Sequence, residues 1–491
     1  MPPLRPATAP HRLAEVPAAA RAALVAGDPA TTVTGITHDS RQVLPGDIYA
    51  ALSGFTTHGA EFAAAARDAG AAAVLTDPAG LDRALAVGLP VLLADDARAA
   101  MGVLAAWAYG DPAASMLVVG VTGTNGKTTT TYLLESALRA CGHRTGVIGT
   151  VGTRIDDDVV PTVRTTPEST DVHALLAVMR ERGVTAVAME VSSHALVLGR
   201  VDGLRFDVAV FTNLSQDHLD FHGDMESYFA AKGALFTPAR SRRAVVGVDD
   251  DWGRRLAAAS GVPVTTFSTR AGVAADWVVT ATEPGVGGTD VRVRGPHGEV
   301  TLRSPLPGDF NVANTLAAFV ALVDAGQPGA EVARGLADAP GVPGRLERVV
   351  DPAGRIDAFV DYAHTPDAVE RVLAATRAVL PGGRLVAVLG CGGDRDRDKR
   401  ALMGAVAARL ADVVVVTDDN PRSEDPESIR ATVLAGARAE PAARAQVLDV
   451  GDRRTAVARA VELAGAGDVV LVLGKGHETG QEIAGVVHPF D

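Results

Sequence analysis

The sequence predicts an α/β protein of three domains built around mostly parallel sheets, and two observations carry that prediction. Short β-branched runs alternate with Ala-rich helical stretches along almost the whole chain, the pattern of strands joined by helical crossovers. A length of 491 residues exceeds what one hydrophobic core serves, so the chain divides. Gly and Pro cluster at Tyr109-Gly-Asp-Pro112 and at Ala339-Pro-Gly-Val-Pro-Gly344, placing the cuts between 1–112, 113–341 and 342–491. Within the middle part, residues 275–304 alternate as in VVTATE and DVRVRG around Gly-rich turns, which predicts a small antiparallel addition to the main sheet.

Composition narrows the function classes. The chain is 47% apolar, yet no run reaches the roughly 18 consecutive apolar residues that span a bilayer, so membrane insertion is not expected. The opening MPPLRPATAP has one Arg, no apolar stretch and no small-residue cleavage pattern, which makes the cytoplasm the expected location. Cys141 and Cys391 fall in no C-x-x-C or Cys/His pattern and are expected to be reduced thiols. A formal charge of −13 opposes binding to a nucleic-acid backbone, whose affinity comes from Lys and Arg. An acidic chain that takes anionic substrates must do so locally, with helix N-termini, a few basic side chains and metal ions.

Such a device stands at the start of the middle part. Leu117-Val-Val-Gly-Val-Thr122 reads as a buried strand, Gly123-Thr-Asn-Gly126 as a tight turn, and Lys127 to about Ala140 as a helix. Backbone N–H groups at the helix N-terminus can face phosphate oxygens, Lys127 supplies a point charge, and the Thr128 hydroxyl can ligate Mg²⁺. The spacing departs from G-x-x-x-x-G-K-[ST], because Val121 stands five before Gly126; the pattern is T-G-T-N-G-K-T. A glycine turn that merely precedes Lys-Thr is the alternative, but the flanking strand and helix favour ATP or GTP binding.

TGTNGKT resembles the nucleotide loop of the Mur ligases and their folylpolyglutamate synthetase relatives, and further segments match in order. Glu190-Val-Ser-Ser-His194 follows the apolar strand VTAVAM, so Glu190 would sit at a strand end where a carboxylate can hold Mg²⁺. Thr212-Asn-Leu-Ser-Gln-Asp-His218 follows DVAVF, and Tyr228–Phe236 reads as a helix carrying Lys232. The resemblance implies that Lys232 is carbamylated by CO2 and, with His218, handles a second Mg²⁺; alone, Lys232 would read as a solvated helix lysine. Gly344-Arg-Leu-Glu347, Asp361-Tyr-Ala-His364-Thr-Pro-Asp and Gly390-Cys-Gly-Gly-Asp-Arg395-Asp are also similar to family segments. Carried over, ATP would meet Gly123, Thr124, Asn125, Gly126, Lys127, Thr128, Thr129, Asn311, Arg345 and Asp361. Read without the family, Asp361 could cap the helix starting near Thr365, and Arg345 could be a surface charge. The resemblance runs from about Asp39 to the end, and implies a small α/β N-terminal domain, a P-loop-type central sheet and a Rossmann-like C-terminal domain.

Other segments bear on the substrate. Asp39-Ser-Arg41 looks like the segment that receives a UDP moiety, with Ser40 as the contact, although D-S-R alone could be an Asx turn with a surface ion pair. Thr165, Thr166, Ser192 and Arg200 match positions that contact a muramyl peptide, together with Lys232; a helix cap at Thr166 before Pro167 is the competing reading. Asp419-Asn-Pro-Arg422 resembles the D-N-P-R signature of ligases that select diaminopimelate over lysine. Diaminopimelate adds a distal carboxylate, which Arg422 and Arg395 could pair with, and Glu478 in Gly474-Lys-Gly-His-Glu478 would receive the distal ammonium. By composition alone, D-N-P-R could be only a strand-ending turn.

The resemblance implies an ATP-dependent amide ligase, expected to act as a monomer, that adds diaminopimelate to UDP-MurNAc-L-Ala-D-Glu through an acyl phosphate. Lys127, Glu190, His218 and Lys232 would form its catalytic set, and Thr128, Glu190, His218 and carbamylated Lys232 its metal set. A lysine-adding or terminal-dipeptide-adding homologue, a P-loop phosphotransferase and a non-catalytic nucleotide sensor are the rivals. Three departures stand out: Gly247 where the family pattern leads one to expect Asn, His58 where an acidic residue is usual, and an ending at His488-Pro-Phe-Asp491 where relatives continue through a short helix.

Overall fold

A computed structural model describes residues 5–54, 56–160, 164–285, 288–350, 354, 356–378, 380 and 382–491. Residues 1–4 of the opening segment and 286–287 of the predicted antiparallel addition lie outside them.

Strands that are apolar on both faces need cover on both faces, and the Val-rich runs obtain it as parallel strands between helices. Five of them form a sheet in the order Ala23–Ala26, Val91–Leu93, Ala73–Thr76, Asp47–Ala51 and Gly35–Thr37, with only the first antiparallel. The largest sheet has eleven strands. Its centre is Leu117–Thr122, flanked in parallel by Ala186–Glu190 and Phe206–Phe211, so the loops leaving all three open on one edge. Trp277–Gly285, Gly288–Gly295 and Gly298–Ser304 extend it as the antiparallel meander that the alternation predicts. The third sheet runs Glu347–Val350, Asp357–Asp361, Val469–Leu473, Leu385–Leu389, Val413–Val416 and Gln446–Asp449, parallel except for its first edge strand.

The helices follow the same economy of surface. Asp309–Asp324 is buried on most sides because it lies between the largest sheet and the helices Lys127–Ala140 and Gly329–Ala337. Ser169–Glu181 contributes Ala174 and Ala177 to the apolar core of the first sheet, beside Leu104, Ala105 and Ala108 of Ala97–Ala108. The helix expected over Tyr228–Phe236 instead spans Met225–Gly233, because the Asp224 carboxylate accepts the Ser227 N–H and starts it earlier.

Two departures have local reasons. A Cβ on Gly247 would meet the Phe267 ring at 2.9 Å and the Thr212 carbonyl oxygen at 3.1 Å, so asparagine has no room there. His58 does the work of an acidic cap through its ring: Nδ1 accepts the Ala60 N–H at 3.0 Å while Nε2 pairs with Asp77 at 2.9 Å. The chain ends in a hairpin of Gly480–Ile483 and Val486–Pro489, followed by Phe490 near the guanidinium groups of Arg453 and Arg454. Both cysteines are free thiols, as expected.

Helices Asp398–Leu410 and Pro426–Ala439 touch backbone to backbone: a Cβ on Gly404 would come within 2.0 Å of the Val433 carbonyl oxygen, and one on Gly436 within 2.0 Å of that of Ala401. Gly404→Val must push them apart, and is expected to cost about 2–3 kcal/mol of stability, read as a lower urea midpoint for the third sheet's unfolding.

Candidate active site

The glycine loop is clamped from the neighbouring strand. Gly126, at φ +89°, turns the chain into helix Lys127–Ala140, and a Cβ there would lie 2.3 Å from Asn314 Oδ1. The Thr212 hydroxyl and the Asn213 amide donate to the Asn125 carbonyl oxygen at 2.7 and 3.1 Å, and the Asn125 N–H donates to Asn213 Oδ1 at 3.1 Å. Thr124 Oγ1 donates to the Ser215 carbonyl oxygen at 3.1 Å and meets the Tyr228 hydroxyl at 3.2 Å. From the third sheet's side, Asp367 Oδ2 accepts the Asn125 side-chain amide at 3.1 Å and the Ser215 hydroxyl at 3.3 Å.

Lys127 and Lys232 converge on one acceptor. Lys127 Nζ donates to the Gly123 and Thr124 carbonyl oxygens at 2.9 and 2.8 Å, and Lys232 Nζ donates to the same Gly123 oxygen at 2.8 Å. Lys232 is 1% exposed, so the solvated-helix reading of it is wrong. Its Nζ stands 4.6 Å over the Tyr228 ring. Burial holds its pKa well below the lysine range, the Lys127 charge lowers it further, and Asp217 opposes. Burial also lowers Lys127, against the opposing pull of Glu190 and Asp217.

Glu190 closes its strand, accepting the Thr150 N–H at 2.8 Å and the Thr150 hydroxyl at 2.9 Å. His218 adopts the left-handed conformation at φ +53° and stands beside Asp217, with its ring edge-on to His194. Desolvation outweighs Asp217 and brings its pKa down to about 4. The side chain still keeps 44% of its surface open through the cleft mouth, which limits that desolvation but leaves the imidazole neutral at pH 7.

These groups line one cavity of about 910 Å³. It collects Thr124, Asn125, Gly126, Lys127, Thr128, Thr129, Thr165, Glu190, Ser192, His218, Lys232, Asn311, Arg345 and Asp361. Arg345 is no loose surface charge: it stacks 4.6 Å from the Tyr362 ring and donates to Thr128 Oγ1 at 3.3 Å. Asp361 does not cap the following helix. Its carboxylate accepts the N–H groups of Leu346 and Ala363, both at 2.7 Å, while Thr365 caps Ala368. Thr150, Asn213, Asp217, Asn314 and Asp367 also bear on this site, though sequence reading gave none of them a role; Thr150 carried no signal, while Asn213, Asp217 and Asp367 stood inside quoted motifs.

Among the described residues no group of three His, Cys, Asp or Glu side chains could hold a metal ion. A cation beside Thr128, Glu190 and His218 therefore fits only with hydroxyl and phosphate oxygens completing its shell, which is how Mg²⁺ sits in nucleotide sites.

The substrate-side residues divide. Asp39 accepts the Arg41 N–H at 3.0 Å and its guanidinium at 2.9 and 2.8 Å, so the Asx turn with an ion pair is present around Ser40. Thr166 does not cap helix Ser169–Glu181. Its hydroxyl donates to the Glu190 carbonyl oxygen at 2.9 Å and accepts the Ser192 N–H at 3.1 Å. Arg200 donates to Glu168 at 2.9 Å, a carboxylate also held by Arg98 and Arg164. Ser40, Thr166 and Arg200 do not line the cavity.

A second cluster sits on the third sheet, where the loops after Leu385–Leu389, Val413–Val416 and Val469–Leu473 leave the carboxyl ends of adjacent parallel strands, the usual ligand edge. Asn420 Nδ2 donates to Glu478 Oε2 at 3.0 Å, and the Asp419 carbonyl oxygen accepts from Gln481 at 2.7 Å. Arg422, following Pro421 and at φ +52°, donates to the Gly393 carbonyl oxygen at 2.7 Å and lies 3.4 Å from Glu482. Arg395 is exposed and donates to the carbonyl oxygen of its neighbour Asp394 at 3.0 Å, on the loop whose Asp394 carboxylate accepts the Ser423 N–H and hydroxyl. Gly474 at φ +106° passes close to Asp419. None of these residues lines the cavity; Tyr362, which does, reaches them through the His477 ring at 5.2 Å.

A glycine loop before a helix at the end of one parallel sheet, with a second polar cluster at the carboxyl edge of another, is the arrangement of an enzyme that handles a nucleotide. Known proteins agree. Residues 121–322 match the Mur ligase middle domain, 344–476 the Mur ligase glutamate ligase domain, and 32–109 the Mur ligase family catalytic domain. A UDP-N-acetylmuramoyl-L-alanyl-D-glutamate–2,6-diaminopimelate ligase from Streptomyces avermitilis is 60% identical over 461 residues, 94% of this chain and 90% of its own. A UDP-N-acetylmuramyl-tripeptide synthetase from Leifsonia xyli subsp. xyli is 48% identical over 463 residues, 93% of this chain and 90% of its own. A solved structure of a UDP-N-acetylmuramoyl-L-alanyl-D-glutamate–2,6-diaminopimelate ligase superposes with a TM-score of 0.70 at 33% identity, covering 98% of this chain and 97% of its own. The chain belongs to the Mur ligase family.

His218 is expected to titrate below the ordinary imidazole range by NMR of the labelled ring, and so to be neutral at pH 7; a midpoint raised above 6.5 would mean that Asp217 outweighs desolvation.

Proposed function

We propose that the chain is an ATP-dependent ligase that joins diaminopimelate to the D-glutamyl side-chain carboxylate of UDP-MurNAc-L-Ala-D-Glu, a cytoplasmic step of peptidoglycan precursor synthesis. The observation that carries this reading is the pairing of the phosphate cradle around Lys127 with the separate D-N-P-R and Glu478 cluster, in a chain 60% identical to a ligase of that name. In one chain these supply both half-sites, which supports action as a monomer. The spans 1–112, 113–341 and 342–491 then serve the UDP-linked acid, the nucleotide and the amino acid.

The γ-phosphate of ATP passes to the glutamyl carboxylate, giving an acyl phosphate and ADP. The acceptor amine attacks that carbonyl, and the tetrahedral adduct collapses to an amide and inorganic phosphate. Loop N–H groups from Gly126 to Thr129 and the Lys127 ammonium, released from its carbonyl partners, steady the phosphate charge. Mg²⁺, when bound, neutralises charge between the phosphates and the transferred group. Thr128, Glu190 and His218 would hold it, with Asn311, Arg345 and Asp361 on the nucleotide. Ser40, Thr165, Thr166, Ser192 and Arg200 serve the UDP-linked acid, and Arg395, Asp419, Asn420, Pro421, Arg422, Gly474 and Glu478 the amino acid.

Carbamylation of Lys232 fits the site. Two ammonium groups on one carbonyl oxygen repel, and desolvation, which lowers the Lys232 pKa, favours the neutral amine that attacks CO2, forming a carbamate and releasing one proton. The product is an anion beside Lys127, so repulsion becomes attraction. ¹³C-labelled bicarbonate is expected to give a protein-bound carbamate signal that Lys232→Ala abolishes, with activity falling about 100-fold or more; an active Lys232→Ala variant would dismiss the role.

Phosphate release with Mg²⁺-ATP and UDP-MurNAc-L-Ala-D-Glu should depend on diaminopimelate and not on lysine or D-Ala-D-Ala. A preference for lysine would overturn the use made of Arg422, and independence of every donor would sink the ligase reading. Arg422→Ala is expected to raise KM for diaminopimelate about 30-fold, the scale of one lost charged hydrogen bond, with KM for ATP unchanged.

A further inference from the structure

The acceptor cluster buries an ammonium for which the proposed reaction has no task. Lys475, 4% exposed at its side chain, has Nζ at 3.1 Å from Asn420 Oδ1, 3.1 Å from Glu478 Oε2 and 3.6 Å from Asp419 Oδ1. The path of the chain enforces this burial. A Cβ on Gly474 would stand 2.9 Å from Asp419 Oδ2, and one on Gly476 2.7 Å from Tyr362 Cβ, so the turn is wedged between those residues with the lysine inside. Lysine stems ordinarily reach water, and an ammonium kept from it needs anionic partners.

The partners are ordered in turn. Asn420 Oδ1 accepts from Lys475 and from the Glu482 N–H at 2.9 Å, while its Nδ2 donates to Glu478 Oε2 at 3.0 Å. Glu478 Oε2 thus takes two internal donors, and among the described residues Oε1 takes none. The buried Arg453 guanidinium also stands near Asp419 and Glu478, so Lys475 adds a second cation to the pair.

We propose that Lys475 is a positioning residue that makes the acceptor site favour an amino acid ending in ammonium plus carboxylate over one ending in ammonium alone. The inference rests on the ligase reading above. A pair of carboxylates faced by Arg453 alone keeps a net pull on any ammonium. With Lys475 as internal counter-ion the attraction for a bare ammonium is weakened, Glu478 is fixed with one oxygen free, and Arg422 remains to be matched by a distal carboxylate. A zwitterionic end meets both demands; lysine meets one and leaves a guanidinium without its partner.

The test compares full-length wild type, Lys475→Met and Lys475→Arg, with diaminopimelate and lysine as donors at saturating ATP and UDP-MurNAc-L-Ala-D-Glu. Lys475→Met is expected to lower KM for lysine and to narrow the diaminopimelate-to-lysine ratio of kcat/KM about tenfold, with kcat for diaminopimelate within about threefold. Lys475→Arg should recover most of that ratio, and KM for ATP should not move. Equal losses with both donors, or a fall in kcat alone, would overturn the proposal by making Lys475 a scaffold residue. Should Lys475→Met not fold, calorimetric binding of the two amino acids to Lys475→Gln gives the same readout. A wild type that ignores every donor would instead fail the ligase reading, and this assignment with it.

Discussion

Two cationic side chains compete for one carbonyl oxygen at the heart of this protein, and the surroundings of Gly123 are organised by that competition. Lys127 arrives from the helix that the glycine turn starts, and Lys232 from a helix more than a hundred residues later. Lys232 is fully buried and Lys127 half-buried on the cavity wall, so burial lowers the pKa of both and an anionic partner relieves the crowding. The Tyr228 ring beneath Lys232 and the Asp217 charge beside it temper the cost without removing it. The loop is held so tightly by Thr212, Asn213 and Ser215 that it cannot open to relieve the crowding. The tension is therefore available to whatever anion enters, whether a phosphate at Lys127 or a carbamate at Lys232.

Much of this was legible in the sequence because backbone chemistry leaves local marks. Strand, glycine turn and helix around Gly126 are each dictated by neighbours in the chain, and so are the Val-rich runs before Asp419 and Gly474. The antiparallel meander followed from alternation alone. What could not be read were contacts made across the fold. Thr150 holds Glu190, Asp367 reaches the glycine loop from another sheet, and Lys475 is swallowed by its own turn, yet each looks in sequence like an ordinary polar residue. Thr166 illustrates the opposite error. Its place before a proline and a helix suggests a cap, but its hydroxyl is spent on the backbone of the strand carrying Glu190. Lys232 shows how burial can reverse the commonest reading of a residue type.

The glycine-loop site and the cluster proposed for the amino acid lie on carboxyl ends of strands in different sheets. Parallel topology explains why: each sheet has one edge on which loops can differ freely while the strands keep their register. The division lets the phosphate-handling edge stay constant while the other edge is retuned for a different amino acid. Arg422, Glu478 and Lys475 all belong to loops of the second edge, so specificity can change there without disturbing Lys127 or Glu190.

Helix Ser169–Glu181 lends Ala174 and Ala177 to the core of the first sheet, and that sharing has a mechanical consequence. Parting the first sheet from the central one would expose apolar surface that water does not welcome. The third sheet meets the glycine loop through Asp367 and Arg345, and the Phe310 ring of helix Asp309–Asp324 packs against its apolar core. One joint is thus sealed largely by shared alanines, while the other combines polar contacts with a single aromatic ring.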